Sequence, residues 1–351
     1  MAAYFAIGCI TVIFAYVTSH MRGKGQLLLL LISGIPSAWL AAVRYDIGPD
    51  YMLYVRIFDS IGATGSFYSV KSLEPGYTLL NRLVLLFNGN QQTLFFIIAW
   101  LIATMFFVGA LRMSENYTLS IALFFAMGFY CDSLNGLRQY IAASITFFAL
   151  SCLADGKRFK AVILCLIAML FHQSALVMVV VCLFADKVRI TSWKAICITA
   201  VLIVSGNYLY NLITNLLSFT RYVYYLGSVE YVVNPTLGAT LLTSILTAVA
   251  IVTGVYRPSA EDDNRHRVLT NMNMLALVSA ILSFFVPLAL RVQYYFVPIE
   301  IVFLPYLLSF VKNRDARFLL GTVLLVLFLC MNVIGMVFNG WYGAYPYQMV
   351  R

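Results

Sequence analysis

The sequence has very little charge: only 11% of its 351 residues are Asp, Glu, Lys or Arg. A soluble domain averages about 25%, so this composition excludes an ordinary soluble protein. Hydrophobic residues make up 62% of the chain, and apolar runs recur that are long enough to cross a hydrocarbon core about 30 Å thick. These runs do not alternate as the strands of a membrane barrel do. The sequence therefore predicts an all-α, polytopic membrane protein forming a single domain over residues 1–351.

The sequence lacks the motifs that mark several kinds of metal, disulfide and enzyme sites. The seven cysteines are isolated and form no CxxC pair, so neither a disulfide framework nor a cysteine metal site is predicted. The chain contains no HExxH, GxSxG, P-loop or GxGxxG motif, which argues against zinc peptidases, serine hydrolases and ATPases. We predict no cofactor and no bound metal. The net charge of +9 is scattered between apolar runs, so we interpret it as a topology signal and not as a nucleic-acid surface.

About ten to eleven transmembrane helices are predicted, the first of them a retained helix and not a signal peptide. The predicted spans are 2–19, 27–43, 91–111, 117–131, 138–154, 195–212, 237–256, 268–288, 293–311 and 318–338. Six short basic loops separate them, at 22–24, 112, 157–160, 187–194, 257–267 and 312–317. The positive-inside rule assigns all six to the cytoplasm, which puts both termini and the loop 44–90 outside.

The segment 161–185 needs a different interpretation, because basic loops flank it on both sides. Both loops are cytoplasmic only if the segment crosses an even number of times, and 25 residues are too few for two full spans. We therefore predict a hairpin of two short helices, 161–171 and 174–185, that turns at His172-Gln173-Ser174 near the midplane. The alternative is one ordinary helix, with Lys187 and Arg189 outside.

The loop 44–90 is the most polar part of the chain. It carries the acids Asp46, Asp50 and Glu74, and a carboxylate can act as a general base or bind a metal. An amphipathic helix is predicted over 74–87, at an interfacial position. Asn81 and Arg82 lie opposite its apolar stripe, which consists of Leu79, Leu80, Leu83, Val84 and Phe87. The simpler reading of Asp46 and Asp50 is an Asx turn or an ion pair with Arg44.

The predicted outer basic residues are nearly all arginine, seven of eight, whereas six of the fifteen cytoplasmic ones are lysine. Guanidinium offers a planar fork suited to phosphate. Arg44, Arg138, Arg221 and Arg291 are thus candidate anion ligands, unless each reaches lipid headgroups. Two further ionisable residues lie within apolar segments, His172 and Glu300, and such residues are functional candidates by default. Each also has a structural reading: His172 as a satisfied core residue, and Glu300 as the partner of a buried donor, for which His172 is the candidate. The tyrosines of 208–231 fit either an interfacial belt or stacking on sugar rings.

Four motifs in order carry a resemblance. They are Arg44-Tyr45-Asp46-x-Gly48-x-Asp50-Tyr51-x-x-Tyr54, Glu74-Pro75-Gly76-Tyr77, Leu137-Arg138-Gln139 and Phe171-His172-Gln173-Ser174-Ala175. With Arg291-x-x-Tyr294-Tyr295-Phe296, they make the chain similar to the EpsG family of Wzy-type polysaccharide polymerases. In family motifs Thr often follows the second Asp, where this chain has Tyr51.

The resemblance implies a glycosyltransferase, metal-independent, of O-antigen or exopolysaccharide (lipopolysaccharide) biosynthesis in the bacterial inner membrane. It would transfer a growing glycan from undecaprenyl pyrophosphate to a lipid-linked repeat unit on the outer side. Candidate partners are undecaprenyl-pyrophosphate-linked oligosaccharides, membrane lipid, a chain-length regulator and a flippase, with no nucleic acid. We expect His172, Asp50 and Glu74 to be catalytic. The expected substrate-binding residues are Arg44, Asp46, Tyr54, Tyr77, Arg138, Gln139, Arg221, Arg291, Tyr295 and Glu300.

Three alternatives remain open from the residues. A metal-dependent glycosyltransferase using a polyprenyl-phosphate sugar would take Asp46 and Asp50 as metal ligands. A lipid-linked oligosaccharide flippase would show internal repeats and a charged path through the membrane. A membrane acyltransferase would use His172 as its base and need acyl-CoA access from the cytoplasm.

Overall fold

The structure is a computed structural model that describes residues 1–64, 73–217, 237–256, 263–286 and 289–350. Its described residues form seventeen α-helices and three short 3₁₀ turns. The helices are α1 Ala2–His20, α2 Gly23–Ser33, α3 Ile35–Val43, α4 Tyr51–Thr64, α5 Pro75–Leu86, α6 Gln91–Met113, α7 Tyr117–Ala126, α8 Phe129–Ser133, α9 Leu137–Ala154, α10 Arg158–Met169, α11 Leu176–Phe184, α12 Ser192–Leu217, α13 Leu237–Val252, α14 Asn264–Leu282, α15 Ala289–Phe296, α16 Glu300–Ser309 and α17 Arg314–Phe338. The 3₁₀ turns are Gln173–Ala175, Val297–Ile299 and Trp341–Gly343.

The predicted class, an all-α polytopic membrane protein, is confirmed. Among the described residues, six helical segments are long and apolar enough to cross a membrane: Ala2–His20, Gly23–Val43, Gln91–Met113, Leu137–Ala154, Ala289–Ser309 and Arg314–Phe338. Shorter apolar stretches lie in four further helices, Tyr117–Ala126, Gln173–Phe184, Ser192–Gly206 and Gly238–Val252. Within this part of the chain, fewer segments thus reach full spanning length than the ten to eleven we predicted; the predicted span 117–131, for example, is broken at Gly128.

The segment 161–185 is a hairpin, as predicted. Helix α10 stops at Met169, the chain turns through His172, and α11 returns beside α10. The sulfurs of Cys165 and Cys182 lie 3.5 Å apart. In one continuous helix, seventeen residues would separate these two positions by about 25 Å, so the single-helix alternative is excluded in this structure.

Residues of three predicted cytoplasmic loops, Arg112, Arg158 and Arg265, lie at one end of the helix bundle, which we call the Arg112 end. Arg112 pairs with Asp155, and Arg158 pairs with Asp186 at 2.6 Å. Arg265 bonds the carbonyl of Met113 and pairs with Glu115. The opposite end, where α3 ends and α9 begins, we call the Arg44 end.

The amphipathic helix forms where we predicted it, as α5, and it packs on the protein through the face that includes Asn81. Tyr77, Asn81 and Val84 point into the protein, and the Asn81 amide donates to the carbonyl of Tyr77 at 2.7 Å. The leucine-rich stripe is exposed instead, ending in Phe87 with 81% of its surface accessible. In a membrane protein an exposed apolar face is compatible with lipid. The start of α5 is held against the protein by the Gly76 N–H, which donates to the Leu170 carbonyl, and by the pair of Glu74 with Arg138.

The C-terminal segment closes the Arg44 end. The backbone N–H of Val350 donates to the carbonyl of Val43 at 2.8 Å, and that of Tyr45 donates to Gln348 at 3.0 Å. Gly48 donates its N–H to the carbonyl of Gly343 at 3.1 Å. These bonds hold the beginning of the loop 44–51 against the last described residues, so this loop has a fixed position from which to present its side chains.

Candidate functional site

An ion pair between Arg138 and Glu74 lies at the centre of the Arg44 end. Arg138 is in the first turn of α9, and its guanidinium donates to Glu74 Oε2 at 2.5 Å. It also hydrogen bonds the phenol of Tyr54 on α4. Glu74 is the N-cap residue of α5, with Pro75 at the first helical position, where proline favours helix initiation. One arginine therefore connects three helices from separate parts of the chain.

His172 lies at the tip of the hairpin and belongs to a chain of hydrogen bonds. Its Nδ1 accepts from the backbone N–H of Ser174 at 3.3 Å, and the Ser174 hydroxyl lies 2.7 Å from the same nitrogen. The Ser174 hydroxyl is in turn 2.7 Å from the Tyr295 hydroxyl. A backbone N–H only donates, so Nδ1 must be the acceptor nitrogen. In the neutral ring the proton is then on Nε2, which makes Nε2–H a donor.

The charge of His172 follows from its surroundings. Burial lowers its pKa from 6.5 to about 4, and the positive charges of Arg138 and Arg291 add to this, against the opposing effect of Glu74. The imidazole is therefore neutral near pH 7. These interactions also show that His172 lies within electrostatic range of Glu74 and both arginines.

Asp50 joins the same group of charges from the loop 44–51. Gly48 adopts a left-handed conformation with φ of 92°, which glycine tolerates best, and the turn directs Asp50 inward. The Asp50 N–H donates to the side chain of Asn135 at 3.0 Å. Burial raises the pKa of Asp50, and Arg138 and Arg291 oppose that rise. Asp50 is therefore a half-buried carboxylate facing two arginines.

Arg291 approaches from α15, on the other side of the site. Gln139, next to Arg138 on α9, donates to the backbone carbonyl of Arg291 at 2.5 Å. Arg291 and Tyr295 are four residues apart and thus on one face of α15. The structure therefore brings Asp50, Tyr54, Glu74, Arg138, Gln139, His172, Arg291 and Tyr295 together.

Three other predicted site residues have different positions. Arg44 is fully buried; its Nη1 donates to the Leu134 carbonyl at 2.6 Å, and its guanidinium lies 4.9 Å from the Phe95 ring centre. Tyr77 is also fully buried, with its ring 5.9 Å from that of Tyr54. Asp46 is exposed on the loop. Arg44 and Tyr77 thus support the site from behind instead of reaching a ligand, and Asp46 lies at its rim.

Glu300 lies in a separate buried network. Its Oε1 accepts from Asn273 at 2.8 Å, and the side chain of Asn273 accepts from Tyr256 at 2.5 Å and from Thr247 at 3.0 Å. The structural partner that we considered for Glu300 was His172, whereas the structure gives it Asn273. The remaining predicted residue, Arg221, falls outside the part of the chain that the structure describes.

Sequence reasoning missed several residues near this site, above all Asp132 and Tyr140. Asp132 lies on the short helix α8, where the predicted span 117–131 breaks at Gly128, whose φ is 83°. The Tyr140 hydroxyl donates to Asp132 at 2.8 Å. The signal available in the sequence was an acid, Asp132, directly after an apolar run and six residues before Arg138. We read this position as an ordinary helix end.

The site has the means to bind an anion and to move a proton. Arginines supply forked donors to phosphate oxygens, the neutral His172 supplies a further donor, and the carboxylates supply acceptors. Among the described residues, no group of three or more His, Cys, Asp or Glu side chains is arranged to hold a metal ion.

Gly76 controls how closely the α5 helix approaches the hairpin tip. Its N–H donates to the Leu170 carbonyl at 2.7 Å, and a Cβ atom at Gly76 would lie 2.8 Å from that oxygen. We expect Gly76→Ala to move Glu74 away from His172 and to lower activity on the order of 100-fold, the cost of a displacement of about 1 Å in a site.

The measurement is the rate of product formation by purified protein. Gly62→Ala is the matched control, because its Cβ would meet only the side chain of Leu85, at 3.5 Å. Equal rates for the two variants would contradict the role of this close approach.

Comparison with known proteins supports the resemblance seen in the sequence. No curated protein and no solved structure matches this chain. The model of the EpsG family matches residues 27–349, a range that includes every described residue of the site, from Asp50 on the first loop to Tyr295 on α15. The match extends over nearly the whole chain, and the protein is therefore a member of the EpsG family.

Proposed function

We propose that this protein is a polysaccharide polymerase that transfers a growing glycan from undecaprenyl pyrophosphate to a lipid-linked repeat unit on the outer side of the cytoplasmic membrane. Family membership is consistent with a Wzy-like polymerase of polysaccharide repeat units. The observation that carries the proposal is the convergence of Arg138, Arg291 and a neutral His172 at the tip of the hairpin. Such a set of donors suits a pyrophosphate leaving group beside an apolar bundle.

The arginines and His172 act on the leaving group. As the bond between the sugar C1 and the pyrophosphate oxygen breaks, negative charge grows on that oxygen, and positioned donors stabilise it. Arg138 and Arg291 supply fixed positive charge. The Nε2–H of His172 donates to a phosphate oxygen. This role differs from the base that we first expected, because the accepting nitrogen is already used by Ser174. The base is then a carboxylate.

Glu74 has a positioning role in this scheme. Its carboxylate holds Arg138, and the same pair orients Tyr54. Because this carboxylate is occupied by Arg138, Glu74 ranks below the other acids as a base.

The activity is tested with the purified protein in nanodiscs and a synthetic undecaprenyl-pyrophosphate-linked repeat unit. We expect a ladder of products, each longer by one repeat, and one molecule of free undecaprenyl pyrophosphate for every glycosidic bond formed. We also expect the ladder in EDTA, since the arginines replace a metal; loss of the ladder in EDTA favours the metal-dependent glycosyltransferase. Absence of any ladder contradicts the proposed function.

The proposed orientation can be tested by labelling. With the exposed cysteines Cys9, Cys197 and Cys330 replaced by Ser, we expect Gln173→Cys to react with an impermeant maleimide on intact spheroplasts. Gln173 is exposed at the hairpin tip, and Lys187 is exposed beyond the end of α11. Lys187→Cys is the matched control and should react only after permeabilisation. The reverse pattern contradicts an outward-facing site.

A further inference from the structure

Asp132 occupies an unusual place beside the site. It lies on the short helix α8, between the αL turn at Gly128 and the start of α9. Part of its side chain remains accessible although protein surrounds it. Its Oδ2 accepts from the Tyr140 hydroxyl at 2.8 Å, and within the described residues it has no ion-pair partner. A structural aspartate in such a place is usually paired with a cation, so the position of Asp132 calls for another explanation.

Tyrosine rings connect Asp132 with the arginine cluster. The ring of Tyr294 packs edge-on against that of Tyr140, with centres 5.3 Å apart. The charges of Asp132, Asp50 and Arg291 all act on the Tyr294 phenol. Tyr294 therefore lies between Asp132 on one side and the Asp50–Arg291 group on the other, and one bound molecule can reach both.

Tyr342 of the C-terminal segment completes this wall. It adopts a left-handed conformation, with φ of 64° and ψ of −2°, which is strained for a residue with a side chain and is typical of functional sites. Its hydroxyl lies where a side chain at Gly128 would be, 2.5 Å from the Cβ position, and the charge of Asp132 acts on its phenol. Glycine at 128 thus makes room for the ring of Tyr342 next to Asp132.

We propose that Asp132, Tyr140, Tyr294 and Tyr342 form the acceptor-sugar subsite, in which the Asp132 carboxylate takes the proton of the attacking hydroxyl. The ligand class is a pyranose ring that bears a free hydroxyl. The half-buried rings of Tyr294 and Tyr342 pack on the apolar C–H surface of the sugar. Tyr140 is fully buried and positions the carboxylate through its hydroxyl, and the carboxylate accepts a hydrogen bond from the reacting O–H. This assignment rests on the proposed polymerase function.

The transfer step balances as follows. The acceptor oxygen forms a bond to C1 of the donor sugar while its proton moves to Asp132. The bond between C1 and the pyrophosphate oxygen breaks, and its electron pair leaves with undecaprenyl pyrophosphate, next to Arg138 and Arg291. The protonated Asp132 then releases its proton to water, and no oxidant, reductant or metal takes part.

The proton affinities of Asp132 and Asp50 support assigning the role of base to Asp132 and a binding role to Asp50. Asp50 faces Arg138 and Arg291, whose positive charges oppose the rise that burial causes in its pKa, and this pairing with cations suits it to binding. The groups that face Asp132 are neutral at pH 7, namely Tyr140 on α9, Tyr294 on α15, Tyr342 and the adjacent Cys131. Burial raises the pKa of Asp132 to about 7, and the hydrogen bond from Tyr140 opposes that rise. A base is most effective when its pKa lies near the working pH.

The test is the pH dependence of chain extension by the whole protein in nanodiscs. The wild-type rate should rise with pH through about 7 as Asp132 loses its proton. Asp132→Asn keeps the shape and should lower the turnover number 100-fold or more, with no remaining dependence on pH in this range. Tyr140→Phe removes the bond that favours the ionised form, and so should move the rising limb to higher pH.

The matched control is Asp59→Asn, an exposed carboxylate at the same end of the molecule, which should leave the rate and the pH profile unchanged. A wild-type rate in Asp132→Asn overturns the assignment of Asp132, whereas a wild-type protein that makes no polymer overturns the proposed function itself. If Asp132→Asn does not fold, Tyr140→Phe tests the assignment instead. A pH–rate profile of Tyr140→Phe whose rising part is not shifted also overturns the assignment of Asp132.

Discussion

Replacing Arg138 with alanine is expected to abolish long-chain glycan while single repeat units still accumulate on the lipid. Arg138 holds Glu74 and Tyr54 and acts electrostatically on Asp50 and His172. In the proposed reaction it also stabilises the charge that develops on pyrophosphate. Loss of one such donor costs roughly 100-fold to 1,000-fold, and loss of a full positive charge should cost at least as much. The measurement is the chain-length distribution in a strain whose own gene is deleted.

The same substitution also leaves Glu74 without its cation, and breaking a mostly buried pair costs about 3–5 kcal/mol of stability. The double variant Arg138→Ala/Glu74→Gln separates the two effects, because it removes the unpaired charge and should restore folding but not polymerisation. Arg291→Ala should give the same loss of long chains. Arg56→Ala, an exposed arginine on α4, is the matched control. Full chain lengths in Arg138→Ala would contradict the role of this arginine in the transfer.

Much of the architecture could be predicted because it follows from solvation. Apolar runs and the distribution of basic loops determine where helices lie and which ends they share. The hairpin at His172 followed from the same argument, since Lys157 and Lys187 can share one end only if the segment between them returns. Residues more than 200 positions apart, such as Asp50 and Arg291, then meet because their helices end at the same end of the bundle.

The details that the sequence did not predict depend on local packing. The sequence around Arg44 does not reveal whether its guanidinium hydrogen bonds the Leu134 carbonyl, as in the structure, or binds a phosphate. Asp132 was missed because hydropathy places the end of α7 only within a few residues, whereas the break at Gly128 depends on contact with Asn332 and Tyr342. These contacts involve the C-terminal segment, which no motif marked.

The inward face of α5 is another detail that the sequence pattern did not predict. The leucine stripe satisfied the amphipathic pattern, but burial followed Tyr77 and Asn81. In water the hydrophobic effect would select the leucine face, whereas a lipid environment offers that face a comparable partner. The contacts of Gly76 with Leu170 and of Glu74 with Arg138 fix the start of the helix instead.

Replacing His172 should distinguish a donor from a base. In the structure, Nδ1 accepts from Ser174 and Nε2 carries the proton, so we expect His172→Ala to lower the rate roughly 100-fold to 1,000-fold, the usual cost of losing one positioned donor. His172→Gln places an amide N–H close to the position of Nε2–H and should recover a substantial part of that loss. An amide cannot act as a general base near pH 7, so activity in this variant is evidence for the donor role.

The pH profile gives an independent criterion. Because burial lowers the pKa of His172 to about 4, the ring stays neutral from about pH 5.5 upward, and its protonation begins to matter only as the pH falls toward 4. We therefore expect the pH–rate profile of His172→Gln to keep every inflection that the wild type shows between pH 5 and 8. These include the rise in rate near pH 7 that is assigned to Asp132. If His172→Gln is as inactive as His172→Ala and that rise disappears, His172 is the base, and the proton follows the Ser174–Tyr295 chain instead of Asp132.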